Sequence, residues 1–147
     1  MSLNPTYPAA AVPYLMIRGA GDALEFYKKA FGAEETMRFG MPDGKIGHAE
    51  VRIEGAPVFL ADESPEAGMQ SPPQLGGTSV TVSVYVQDVD AFVRRAKDGG
   101  ATLLRPVADQ FYGERSATVK DPFGHIWHFA TVKEQLTVEE ITKRAPR

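Results

Sequence analysis

Apolar residues recur at two different spacings along the chain, and the spacing switches in the same order twice. Val12-Pro13-Tyr14-Leu15-Met16-Ile17 reads as a strand closed by Gly19 and Gly21. Asp22 then stands where a helix N-cap is wanted. Leu24, Phe26, Tyr27, Ala30 and Phe31 follow at helical spacing, and Gly32 is placed for a left-handed C-cap. Strands are predicted at about 34–40, 45–54 and 56–61, parted by Pro42-Asp43-Gly44 and by a tight Glu54-Gly55 turn. An irregular stretch, 62–77, rich in Pro, Gly, Ser and Glu, interrupts the pattern. The programme then restarts. Thr78–Val86 alternates as a strand, and Asp88–Asp98 reads as a helix burying Phe92 and Ala96. Gly99-Gly100 ends that helix, and strands near 101–106, 114–120 and 125–132 follow, the last two joined by Asp121-Pro122-Phe123-Gly124. Thr137 and Glu140 form a capping box that opens a final helix.

The recurrence is arithmetic. An offset of 69 carries Ile17 onto Val86, Gly44 onto Gly113 and Gly55 onto Gly124, and an offset of 68 carries Gly32-Ala33 onto Gly100-Ala101. Two βαβββ modules are therefore expected, in an α+β fold whose curled mixed sheet lines a cleft with helices outside. The expected boundaries are a loose tail over 1–10, module one at about 11–62, a linker over 63–77, module two at about 78–132, and a terminal helix in 133–147. Either module alone would expose one sheet face, so the two must share a core or line a common cavity.

Composition narrows the function classes. At 147 residues the chain has the length of one compact domain. Zero cysteines remove thiolate catalysis, thiolate-bound zinc and disulfides. A net charge of −3 lacks the basic footprint of a nucleic-acid binder. No apolar run approaches the roughly 20 residues of a membrane span, and no charged-then-apolar leader opens the chain. A cytoplasmic protein with a small-molecule partner is the expectation.

Pro13-Tyr14-Leu15, Ala23-Leu24-Glu25-Phe26-Tyr27, Ala30-Phe31-Gly32-Ala33-Glu34 and His48-Ala49-Glu50 resemble the first half of PhnB-like proteins. Those belong to the glyoxalase, bleomycin-resistance and extradiol-dioxygenase superfamily, also called vicinal oxygen chelate. Tyr85-Val86, Asp88-Val89-Asp90, Gly113-Glu114-Arg115 and Asp121-Pro122-Phe123-Gly124-His125-x-Trp127 continue the likeness, over roughly 11–132. The resemblance implies paired modules around a cleft and a homodimer. It also implies, for members that use a metal, ligands at positions that fall on Val12, Phe59, Thr81 and His128. Of these only His128 is a good ligand for a divalent ion. The cofactor expectation is therefore open: one divalent metal ion or, with more support, none.

Strand alternation places Tyr14 with Val12 and Met16, Thr81 with Ser83 and Tyr85, and His48 with Glu50 and Arg52, each set on one face. Phe59 and His128 complete this polar, aromatic-walled face, as small-molecule pockets require. His48 and Glu50, at i and i+2, lie about 6.5–7 Å apart on a strand. They read as proton donor and general base, as metal ligands with His128, or as a solvated strand face. His125-x-x-His128 is not a metal pair, because residues i and i+3 of a strand face opposite ways. Phe111 and Arg115 belong to a stretch that, in the resembling branch, borders the cleft mouth. Arg115 could grip an anionic group there or pair with a neighbouring strand. Gly19-Ala20-Gly21 lacks the third glycine of a dinucleotide fingerprint, Leu24 standing in its place.

The expected function is thus a glyoxalase-like enzyme of lyase, isomerase or dioxygenase type. His48, Glu50 and His128 would be its working groups, with Tyr14, Arg52, Phe59, Thr81, Ser83, Tyr85, Phe111 and Arg115 binding the substrate. The alternative is a non-catalytic dimer that sequesters a compound.

Overall fold

The structure, a computed structural model, describes residues 4–8 and 10–147. It contains β1 (Tyr14–Ile17), α1 (Ala20–Phe31), β2 (Glu34–Gly40), β3 (Ile46–Ile53) and β4 (Ala56–Asp62), then β5 (Thr81–Tyr85), α3 (Val89–Gly99), β6 (Thr102–Asp109), β7 (Glu114–Lys120) and β8 (Ile126–Val132). Between the two halves lie a single 3-10 turn, Pro65–Ala67, and the one-turn helix α2 (Pro72–Leu75); α4 (Val138–Arg144) ends the chain. The segment expected to be irregular thus has two short helical turns, each opened by proline at a position where its missing N–H costs nothing.

The two βαβββ modules are present as two four-stranded mixed sheets. Their orders are β1-β4-β3-β2 and β5-β8-β7-β6, with β1 parallel to β4 and β5 parallel to β8. Among the described residues no strand pairs across the two, so they form two open sheets rather than one closed wall. On each sheet one face is packed and the other is not. Leu15, Ile17, Ala49, Val51, Ile53, Val82 and Val84 are buried, while their alternating neighbours are exposed or half-buried.

The core joins the modules through their helices. Tyr27 and Phe31 of α1 reach across to Trp127 at 5.4 and 5.1 Å between ring centroids, and Phe31 reaches Phe129 at 5.1 Å. Ala30 of α1 and Gly99 of α3 mark the helix crossing: a Cβ on Gly99 would lie 2.6 Å from that of Ala30. Asp121, buried between them, accepts from Tyr27 Oη at 2.7 Å and Trp127 Nε1 at 2.9 Å. Its other oxygen accepts the N–H groups of Phe123 and His125.

The start of α1 corrects one expectation. Asp22 is not the cap; the helix begins at Ala20, and Oδ1 of Asp62, at the end of β4, accepts the N–H groups of Gly19 and Ala20. Asp22 lies instead in the first turn, where its charge suits the helix dipole. The repeat has an echo here, because Thr131, 69 positions after Asp62, accepts from Val89 N at the start of α3. Asp88 caps α3 from Ala91 N, Gly32 and Gly100 close α1 and α3 in the left-handed region, and Thr137 and Glu140 form the capping box of α4. β6 continues past Pro106 to Asp109; Pro106 lies on an edge strand, where the pairing with β7 shifts register between Arg105 and Ala108, and both features tolerate a missing N–H.

Candidate functional site

Three strands bring one set of side chains to the open face of the first sheet. β1 supplies Tyr14, β3 supplies His48, Glu50 and Arg52, and β4 supplies Phe59. Strand register makes Phe59 the neighbour of Tyr14 on one side and of Glu50 on the other. Alternation accounts for the set, because Ala49, Val51 and Ile53 occupy the packed face between them.

These groups form a continuous hydrogen-bonded chain. Tyr14 Oη lies 2.7 Å from His48 Nδ1, and His48 Nε2 lies 2.8 Å from Glu50 Oε2. Tyr7 Oη then donates to Glu50 Oε1 at 3.0 Å. Phe59 walls the chain, its ring 5.1 Å from His48, 5.8 Å from Tyr14 and 5.3 Å from Tyr7. The Arg52 guanidinium covers the Tyr7 ring at 5.1 Å and donates to Gly55 O.

An ionised carboxylate only accepts hydrogen bonds, so Glu50 fixes the proton of neutral His48 on Nε2. Nδ1 is then left to accept from the Tyr14 hydroxyl. Burial, with the nearby Glu50 charge, raises the Tyr14 phenol above its ordinary range, so it stays protonated at neutral pH. The arrangement is a hydrogen-bonding hydroxyl on an exposed face, held against His48 Nδ1.

The remaining predicted residues lie on the second module. Thr81, Ser83 and Tyr85 alternate on the open side of β5. His128 pairs in register with Ser83 and with Thr118, whose Oγ1 is 3.3 Å from its Nδ1. Tyr85 donates to Glu114 Oε1 at 2.8 Å, and that bond and charge raise its phenol. Phe111 meets Tyr112 edge-on. Arg115 is held by Asp90 through two bonds, 2.8 and 2.9 Å, and by Asp109 at 3.1 Å, which pushes its guanidinium up and the Asp90 carboxyl down. His48 and Glu50 therefore sit on one sheet with Tyr14, Arg52 and Phe59, and His128 sits on the other.

The donor set does not suit the metal that the family resemblance implies. Val12 and Phe59 carry no donor atom, Thr81 offers a neutral hydroxyl, and only His128 is a ligand for a divalent ion. Among the described residues no three His, Cys, Asp or Glu side chains gather as an ion requires.

Two contributions had no signal in the sequence pattern. Tyr7 belongs to a stretch without periodicity, yet it lies on Glu50, Phe59 and Arg52. Met37 and Phe39 of β2 pair in register with Glu50 and His48 and stay 41% and 54% exposed, an apolar margin to the polar chain. A groove of about 300 Å³ beside Tyr14 runs between β1 and β5, floored by Met16, Val82 and His125. His125 itself is buried and bonded to Met16 O at 3.0 Å, which gives it a structural part. A larger pocket of about 450 Å³, around Asp109, Glu114 and Arg115, shares no residue with the His48 chain.

Comparison with known proteins places the fold. An uncharacterized protein of Mycobacterium bovis is 42% identical over 135 residues, 90% of this chain and 89% of that one. The crystal structure of TioX from Micromonospora sp. ML1 superposes with a TM-score of 0.67 at 27% identity, covering 88% of this chain and all of that one. The fosfomycin resistance protein FosX of Listeria monocytogenes, solved with Mn(II) and sulfate, shares the fold at a TM-score of 0.62 and 19% identity, over 92% of this chain and 96% of its own. The family model that matches residues 13–129 agrees with the paired modules, and the chain belongs to the Glyoxalase/Bleomycin resistance protein/Dioxygenase superfamily.

Proposed function

We propose that the protein is a glyoxalase-like enzyme that acts on a small oxygen-bearing molecule at the open face of the first sheet. The observation that carries this reading is the chain Tyr14–His48–Glu50, with contacts of 2.7 and 2.8 Å. Glu50 supports the imidazole, His48 holds or releases a proton at Nδ1, and Tyr14 presents its hydroxyl to a carbonyl or hydroxyl oxygen. A group poised this way favours proton-transfer chemistry of the lyase or isomerase kind. Because Val12 and Phe59 cannot ligate, no step runs through a metal. The working unit is proposed to be a homodimer, which would cover the apolar margin of Met37 and Phe39.

A second reading has its own observation. The loss of donor atoms at Val12 and Phe59 fits a site that binds and sequesters a compound without converting it.

One experiment separates the two. A library of small carbonyl and hydroxy compounds is screened by thermal shift, and hits are incubated with protein and analysed by mass spectrometry. The enzyme reading expects a compound converted by the native chain about a hundredfold faster than by His48→Gln or Glu50→Gln. Hits whose binding needs His48 but which return unchanged favour sequestration. Hits indifferent to both substitutions overturn the site.

A further inference from the structure

The open-face groups of module one already hold an aromatic ring, and it is the protein's own. Tyr7, from the segment before β1, sets its ring edge-on against Phe59 at 5.3 Å and under the Arg52 guanidinium at 5.1 Å. Its hydroxyl donates to Glu50 Oε1 at 3.0 Å. Three independent recognitions thus converge on one phenol: an aromatic wall, a cation over the ring face, and a carboxylate accepting from the hydroxyl.

Each of the three belongs to the sheet, not to the arm. Phe59 is held by β4 and by its contacts with His48 and Tyr14. Arg52 is anchored through Gly55 O, and Glu50 through His48. Tyr7 itself lies outside the strands, ahead of β1. A built slot with a tethered occupant is a site for whatever resembles that occupant.

We propose that this slot is the binding subsite for a hydroxylated aromatic ring, and that Tyr7 fills it in place of the ligand. The proposal deepens the reading of the open face as a small-molecule site and rests on it. The ligand class is a phenol whose free hydroxyl reaches Glu50 and whose ring lies between Phe59 and Arg52. Tyr7 makes the arm a competitor in cis: the apparent affinity for a free phenol is the intrinsic one scaled by the fraction of time the arm is away.

The test uses the full chain, with p-cresol as the probe and 4-methylanisole, which cannot donate, as the control. Dissociation constants are measured by chemical-shift titration for the native protein, Tyr7→Phe and Tyr7→Ala. Thermal unfolding is recorded for all three, which are expected to fold alike because Tyr7 lies outside the core cluster. Tyr7→Ala is expected to bind p-cresol about tenfold more tightly than the native chain, the ratio for an arm docked about nine-tenths of the time. Tyr7→Phe, keeping the ring and losing the hydroxyl, falls between. In Tyr7→Ala the anisole binds at least about tenfold more weakly than the phenol, because Glu50 would be left without its donor. Equal p-cresol affinity with and without Tyr7, equal affinity for phenol and anisole, or no p-cresol binding to Tyr7→Ala overturns the proposal. If His48-dependent binding of a non-aromatic compound survives any of these outcomes, the general site stands and only the phenol slot falls. If it does not, both fall.

Discussion

At the scale of single residues, Asp121 and Tyr27 show how one buried charge ties distant parts of the chain together. Asp121 accepts four hydrogen bonds, two on each carboxylate oxygen, from α1, from the β7–β8 turn and from Trp127. Asp121→Ala strands these donors in the core, and a loss of about 3 kcal/mol or more is expected in chemical denaturation. Tyr27→Phe removes one donor and costs about 1 kcal/mol at neutral pH. Its larger effect is at high pH. Burial, then the charge and hydrogen bond of Asp121, push the Tyr27 phenol well above its ordinary value. The unfolded chain releases this proton above about pH 10. The phenol's contribution to stability is therefore complete below that point and is lost as pH rises further. Thermal unfolding between about pH 9 and pH 11 is expected to show a fall that is shallower in Tyr27→Phe. None of this was readable beforehand: Asp121 looks like a turn residue and Tyr27 like a helix-face residue, and 94 positions separate them. His48 and Glu50 were legible because a two-residue spacing on one strand fixes a shared face. Tyr7 was not, because its place is set by contacts rather than by period.

At the scale of elements, the strands and helices followed from spacing, glycine punctuation and the internal offset, since these are local properties. What spacing could not supply was any partner brought in from elsewhere. The N-terminus of α1 is satisfied by Asp62, 42 residues away, so the nearest acidic residue, Asp22, was the natural but incorrect choice. The linker's helical turns are likewise too short to show a period. Helix packing gives a prediction of its own. Gly99 ends α3 where it meets Ala30, and an added Cβ would lie 2.6 Å from the Ala30 Cβ and 3.0 Å from its Cα. The obstruction includes backbone-linked atoms of a buried helix, so it cannot be relieved by rotating a side chain. Gly99→Ala would gain helix propensity in isolation, yet it is expected to destabilise the protein by about 1–3 kcal/mol through overpacking. Denaturant unfolding reads the net sign, and a stabilised variant would show that the helices cross more loosely than this.

For the whole molecule, the balance of covered and uncovered faces sets the argument for association. The shared core spends one face of each sheet and both long helices on joining the modules. The open faces keep large side chains in solvent: Met37 and Phe39 on the first sheet, Tyr85 on the second, each between 41% and 59% exposed. Met37 and Phe39 adjoin Glu50 and His48, so an apolar margin borders the polar chain it could help to seal from water. A site meant to move protons gains from such a cover, because excluding water strengthens each electrostatic contact inside. A second copy of the chain is the cover proposed. Sedimentation equilibrium is expected to give about twice the 16.0 kDa chain mass. Phe39→Asp, which places a charge on that margin while leaving the core untouched, is expected to shift the population toward monomer. If cover by the partner serves the site, the same variant loses ligand affinity in proportion to its loss of dimer, and raising protein concentration restores both together. A monomeric native chain would remove the partner from the site and leave Tyr14, His48 and Glu50 to work on an open face.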